Sequence, residues 1–259
     1  MEVNLENNKK KRKKELQALP QGVIMCYDRQ GQFLRAKTQK SGVKIKKTGI
    51  VPMNEKFFDL KKEKQDRMIN GAMKVFALNG FLRASTDEMV KEAGVSKGLW
   101  FHYFDNKIGL YTFVTDYAIK YLNMELGAGL SADNTDFFDT TLDIEKVKMT
   151  VRRSYPYVPL FLCSLDKENS PEALEAVGEY IQVYREKIQS AYANVDRSSF
   201  APFVDDRIFD MTIAFTMKGI LEEEYAKEVF DERSYMGRVK IFLDQMRQMS
   251  QNGGTEPMA

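Results

Sequence analysis

The sequence predicts an all-α protein: a helix-turn-helix head of three helices, followed by a larger helical domain and preceded by a poorly ordered basic extension. Three observations carry this. Apolar residues recur at helical spacing from Asp59 onward, capping residues and glycines punctuate that spacing between residues 80 and 107, and a lysine run sets residues 1–52 apart in composition.

Residues 1–52 open with Lys9-Lys10-Lys11-Arg12-Lys13-Lys14. Two short apolar runs, Val23–Tyr27 and Gln32–Leu34, flank Gly31 and suit one hairpin, which alone is marginal in water. The segment therefore reads as weakly ordered, either a basic arm for phosphates or a solvated tail. A further reading takes Met53 as the native start. A secretory signal is excluded because Glu15, Gln17, Pro20 and Gln21 interrupt the stretch where an apolar core is required.

In the head, Ile69, Ala72, Met73 and Phe76 share one helix face, Asp59 is placed to cap its start, and Gly80 follows Asn79 where a left-handed residue is wanted. Ser85 and Glu88 have capping-box spacing for a second helix from Thr86, which Gly94 ends. Ser96 suits the N-cap of a third helix, with Val95 and Trp100 at the positions of a hydrophobic staple. Trp100 and Phe104 turn inward at this spacing. Lys97, Gly98, Phe101 and His102 then face outward, with Leu99 and Tyr103 on the flanks. A fourth helix runs from Asp105 or Asn106 to about Glu125, where Gly127 and Gly129 break it.

Beyond it the pattern gives helices over 136–154, 158–164, 171–194, 205–227 and 231–250, with a flexible tail at 251–259. The last two carry more apolar surface than one core needs. Phe209, Ile213, Met217, Ile220 and Leu221 are joined by Ile208, Met211, Ala214 and Phe215 on further faces, and Tyr235, Val239, Phe242, Met246 and Met249 step by 4, 3, 4, 3. A two-fold four-helix interface would cover that excess.

Composition limits the function classes. The net charge of +2 conceals a basic front and an acidic rear: residues 1–60 hold 14 Lys and Arg against 6 Asp and Glu, and residues 108–259 hold 16 against 25. Such a chain touches polyanions with one end. Cys26 and Cys163 make no framework of disulfides, no apolar run is long enough to span a bilayer, and the expected setting is the reducing cytoplasm. His102 is the only histidine, and no P-loop, G-x-S-x-G or H-E-x-x-H motif is present, so neither an enzyme nor a metal or other cofactor is expected.

Gly80-Phe81, Ser85, Met89-Val90, Ala93-Gly94-Val95-Ser96-Lys97-Gly98, Phe101-His102-Tyr103-Phe104, Asn106-Lys107 and Leu110 together resemble the tetracycline-repressor (TetR) family of bacterial regulators over about 50 residues. The resemblance implies a homodimeric transcriptional regulator, a repressor that a small effector releases from a palindromic double-stranded DNA operator. It implies a DNA-binding domain over 53–107 and a ligand-binding and dimerisation domain over 108–250. By position, Ser85, Thr86 and Lys107 would hold phosphates, and Lys97, Gly98, Leu99, Phe101, His102 and Tyr103 would meet the major groove. Helix N-termini and lysines suit phosphate, and groove-facing side chains specify sequence. Leu99 departs from the polar residue many relatives carry, and Phe101 lacks a common tyrosine's hydroxyl.

Within the rear domain, Met149, Tyr155, Phe161, Tyr180, Tyr184, Phe209 and Met217 are the candidate ligand contacts, being aromatic or sulfur-bearing and placed near the middle of helices. They favour a largely apolar effector of unspecified identity. A cavity below roughly 300 Å³ in this domain would instead favour a ligand-independent DNA-binding or partner-docking protein.

Overall fold

The computed structural model describes residues 25–27, 33–35, 55–131 and 133–251. Two units make up the chain, Met1–Thr48 and Gly49–Ala259. Of the first, the described residues form a two-stranded antiparallel hairpin, β1 (Met25–Tyr27) and β2 (Phe33–Arg35), with Cys26 opposite Leu34. This is the pairing expected about Gly31. The order expected for the rest of the basic extension falls outside the described residues, as does the expected tail after residue 251.

All regular structure described in the second unit is helical: a 3-10 turn (Glu55–Asp59), then α1 (Lys62–Arg83), α2 (Thr86–Ala93), α3 (Lys97–Tyr103), α4 (Lys107–Gly129), α5 (Phe137–Ser154), α6 (Val158–Leu165), α7 (Pro171–Ala191), α8 (Asp206–Tyr225) and α9 (Glu232–Gln251). Caps account for most boundaries. Asn106, Asp136, Ser170 and Asp205 each accept a hydrogen bond from the backbone amide three residues on, at Gly109, Asp139, Ala173 and Ile208.

Two expected boundaries move. Asp59 does not cap α1; it ends the 3-10 turn, and the helix starts at Lys62 after Lys61, which makes no side-chain cap. The reason is Phe57, which is fully buried against Phe104 and Phe113 and pulls residues 55–59 onto the head. Gln65 Nε2 then satisfies the turn's carbonyls, donating to Phe58 O at 3.1 Å and Leu60 O at 2.7 Å. The second shift is at the end of α4, which continues to Gly129 instead of breaking near Glu125. A Cβ at Gly129 would sit 2.6 Å from Val147 Cγ2, so this glycine serves the packing of α4 on α5.

The rear core joins α5, α8 and α9 through Phe137, Phe138, Ile213, Met217, Tyr235 and Val239. Ile208, Met211 and Phe215 remain exposed on another face of α8, as do Ile241 and Met249 on α9. On α8 the surplus apolar surface read from the sequence is exposed among the described residues, but on α9 the expected stripe is not: Tyr235 and Val239 are buried in the rear core, Phe242 and Met246 pack on it, and of that stripe Met249 alone is left exposed.

Candidate nucleic-acid interface and internal cavity

The head is assembled by close approach and by one left-handed turn. α1 and α2 pack so tightly that a Cβ at Gly71 would lie 3.0 Å from the amide nitrogen of Ala93. Gly94 has φ 61°, ψ 43°, a left-handed conformation that costs a residue bearing Cβ about 1–2 kcal/mol. Its amide and that of Val95 return to the Val90 and Lys91 carbonyls, and the chain is redirected into α3. Ser96 Oγ accepts from Leu99 N at 3.2 Å, which fixes the first turn of α3. The expected capping box on α2 does not close. Ser85 Oγ accepts from Asp87 N, and Glu88 Oε2 accepts instead from Asn79 Nδ2 at 3.4 Å, tying α2 to α1.

Trp100 and Phe104 are buried with ring centroids 5.6 Å apart, which turns the opposite face of α3 to solvent. Lys97, Gly98, Phe101 and His102 are exposed there, and Leu99 is half-buried. No atom lies within 4 Å of where a Gly98 Cβ would be, so the backbone is open to a close partner. Lys97 Nζ pairs with Asp87 at 2.6 Å, an exposed contact that a phosphate can displace at little cost. Ser85 and Thr86, half-buried, start α2 beside this face.

Two predicted contact residues are placed differently. Tyr103 is 8% exposed, its ring 5.7 Å from Phe57, so the ring body belongs to the head core. Lys107 Nζ donates to Leu82 O at 3.1 Å and Ala84 O at 3.4 Å and lies 4.7 Å from the Phe81 ring. In this structure it caps carbonyls at the α1–α2 junction. Neither role was legible from spacing, because both depend on Phe57 and on the break of α1 at Gly80 (φ 69°, ψ 173°).

Among the described residues, two hydrogen-bonded clusters join head and rear helices, and Lys74 Nζ also lies 5.7 Å from the Tyr157 ring. Glu168, between α6 and α7, accepts from Phe81 N at 3.0 Å and from Tyr111 OH at 3.3 Å, while its other oxygen accepts from Asn169 N and Ser170 N. Burial, followed by the Glu168 charge, raises the Tyr111 pKa, so this phenol stays a donor. In the second cluster, Tyr155 OH donates to Asp66 at 2.8 Å and accepts from Lys62 Nζ at 2.8 Å, and it also bonds Tyr117 OH.

A cavity of about 470 Å³ lies among α5, α6, α7 and α8. Of the seven candidate ligand contacts, Tyr184 and Met217 line it. The other five do not. Tyr155 serves the head junction just described, Phe161 packs on Phe76 and Tyr111, and Met149 and Phe209 sit in the rear core. Tyr180 is half-buried on α7. Periodicity identified these side chains as inward-facing, but it cannot separate a cavity wall from filled core.

Sequence reasoning missed the cavity's polar groups. Glu145, 2% exposed, accepts from Lys148 Nζ at 2.7 Å and from Tyr235 OH at 2.6 Å. Burial is the largest influence on the Lys148 pKa and lowers it, but Glu145, Tyr184 and Cys163 together outweigh it and the net direction is upward, so the ammonium persists. Burial pushes the Cys163 thiol up to about 11. An i, i+3 Glu145–Lys148 pair reads from sequence as a solvated helix face; only packing buries it.

Among the described residues no three His, Cys, Asp or Glu side chains converge as metal ligands, and no helix is long and apolar enough to cross a membrane. Residues 68–112 match the family model described as bacterial regulatory proteins, tetR family. No curated protein matches the chain. A TetR family transcriptional regulator from Chloroflexus aurantiacus J-10-FL has a similar fold, with 19% identity over 76% of this chain and 97% of that one and a TM-score of 0.52. The fatty acid degradation regulator FadR from Bacillus halodurans aligns at 17% identity over 74% of this chain and 99% of that one, with a TM-score of 0.47. The family match falls on the helix-turn-helix whose geometry is described above, so residues 68–112 are similar to the DNA-binding segment of bacterial regulatory proteins of the tetR family.

Proposed function

We propose that the protein is a homodimeric repressor whose head, residues 53–107, binds a palindromic operator and whose rear domain, residues 108–250, releases it on binding a small effector. The observation that carries this reading is the solvent face of α3: Lys97, Gly98, Phe101 and His102 exposed on a helix whose other face is locked by Trp100 and Phe104. Leu99 supplies apolar contact to a thymine methyl and no hydrogen bond. Ser85 and Thr86 hold a phosphate at the start of α2. Lys107 reaches a phosphate only by leaving Leu82 O and Ala84 O, so its contribution to binding is smaller than that of Lys97.

The dimer forms through α8 and α9, where Ile208, Met211, Phe215 and Ile241 are exposed. Two heads then read half-sites about 34 Å apart. A cavity of about 470 Å³ supports an effector-responsive regulator over a ligand-independent one, since it has the size of small-molecule pockets. Cavity and head are coupled through α6. Cys163 and Asp166 line the cavity, and Glu168, two residues beyond Asp166, holds the Phe81 amide at the entry to α2.

Selection of bound genomic fragments at moderate salt tests the proposal. The expected result is one symmetric site, bound by the dimer and spanning two adjacent major grooves. Binding without sequence preference and lost uniformly with salt overturns it.

A further inference from the structure

The polar groups of the cavity are unequally satisfied. Its acids are engaged: Glu145 by Lys148 and Tyr235, Asp166 by Arg185 at 3.1 Å, and Asp210 by Arg197 at 2.6 Å. Its ammonium groups are paired but keep spare donors. Lys148 Nζ has three donors, and among the described residues its hydrogen-bond acceptor is Glu145 Oε1 alone. Lys218 Nζ lies 3.5 Å from Asp166 Oδ2, an ion pair too long for a good N–H···O hydrogen bond, and that carboxylate is already shared with Arg185. Lys148 and Lys218 both line this cavity, as does Cys163. The neighbouring wall is apolar: Ile144, Ile188, Ile213, Met217 and Leu221.

Spare donors on two cations, beside acids that each already hold a cation, favour one kind of occupant. We propose that the cavity binds a monoanionic amphiphile, its carboxylate received by Lys148 and Lys218 and its apolar body laid along Ile144, Ile188, Ile213, Met217 and Leu221. The inference rests on reading this cavity as the effector site. A buried carboxylate is costly unless it is paired and hydrogen-bonded, and the two lysines supply both. An alkylammonium meets carboxylates that already have partners, and an alcohol leaves a cationic donor without an anion.

Calorimetric titration of the full chain with decanoate, 1-decanol and decylamine tests this. Decanoate is expected to bind about tenfold or more tightly than either analogue, the factor one charge-assisted hydrogen bond supplies. Lys218→Met is expected to lower decanoate affinity by about tenfold and leave 1-decanol unchanged. Lys148→Met combined with Glu145→Gln, which leaves no unpaired buried charge, is expected to do the same; if that double variant fails to fold, Lys218→Met decides. Absence of decanoate binding, equal affinity for the three compounds, preference for decylamine, or an unchanged decanoate affinity in Lys218→Met overturns the proposal. Operator release is scored separately. Lys218-dependent decanoate binding that leaves DNA bound keeps the ligand chemistry and removes the effector role, whereas release by an uncharged compound alone keeps the effector role and removes the chemistry.

Discussion

Glu168 Oε2 lies 3.0 Å from the Phe81 amide nitrogen, so a carboxylate on the α6–α7 connection holds the backbone where α1 breaks at Gly80. The same oxygen accepts from Tyr111 OH on α4. One side chain thus joins the approach to the helix-turn-helix, the helix that leaves the head, and the end of the helix lining the cavity.

Glu168→Ala removes these acceptors and leaves the Phe81 amide without one. We expect a loss of about 1–3 kcal/mol in urea unfolding. On the proposed mechanism DNA affinity should become less sensitive to effector, because Glu168 would be the connection between cavity and head. Unchanged coupling in a variant that still folds would assign the transmission to another contact, such as Tyr155 with Asp66.

Lys97 and Lys107 separate binding from architecture. Lys97→Ala is expected to weaken operator binding and to reduce the magnitude of its log-log salt slope by about 1, with thermal stability unchanged. Lys107→Ala loses its bonds to Leu82 O and Ala84 O and should cost about 1–2 kcal/mol of stability. Calorimetry and salt-dependent binding on both variants separate the two effects.

Phe215 is 66% exposed and Ile208 58%, about two turns apart on α8. Phe215→Glu combined with Ile208→Glu is expected to leave far-ultraviolet circular dichroism unchanged and to halve the mass measured by light scattering. A dimer that persists would move the interface off this face.

Cys163 has its thiol raised from 9.0 to about 11, first by burial. The unfolded thiol loses its proton first, so the native state binds more protons between these values and stability must fall as pH rises from about 9 to about 11. Alkylation of Cys163 by iodoacetamide in a Cys26→Ser protein should be slow at pH 8 and accelerate only well above pH 9. Rapid modification at pH 8 would show that the thiol is not buried in the cavity wall.

Gly94→Ala is expected to cost about 1–2 kcal/mol, since φ 61° is strained for any residue with a Cβ. Chemical denaturation measures this directly. DNA binding should fall as well, because the turn sets the direction of α3.

The all-α class, the α2–turn–α3 unit and the five rear helices were legible because each follows from local chemistry: Ser96 capping Leu99 N, Gly94 in the left-handed region, and apolar periodicity on α8. The outward face of α3 followed from the same spacing. What the sequence by itself determined is therefore the set of helices, their inward faces and the residues of α3 that reach solvent. The tertiary structure alone decided that Phe57 joins the head core, that Tyr103 is buried against it, that Lys107 caps carbonyls, and that Glu145 and Lys148 meet inside a cavity. The physical reason is range. Caps, turns and periodicity act within about four residues, whereas burial of a charge pair and closure of a cavity depend on helices far apart in the chain.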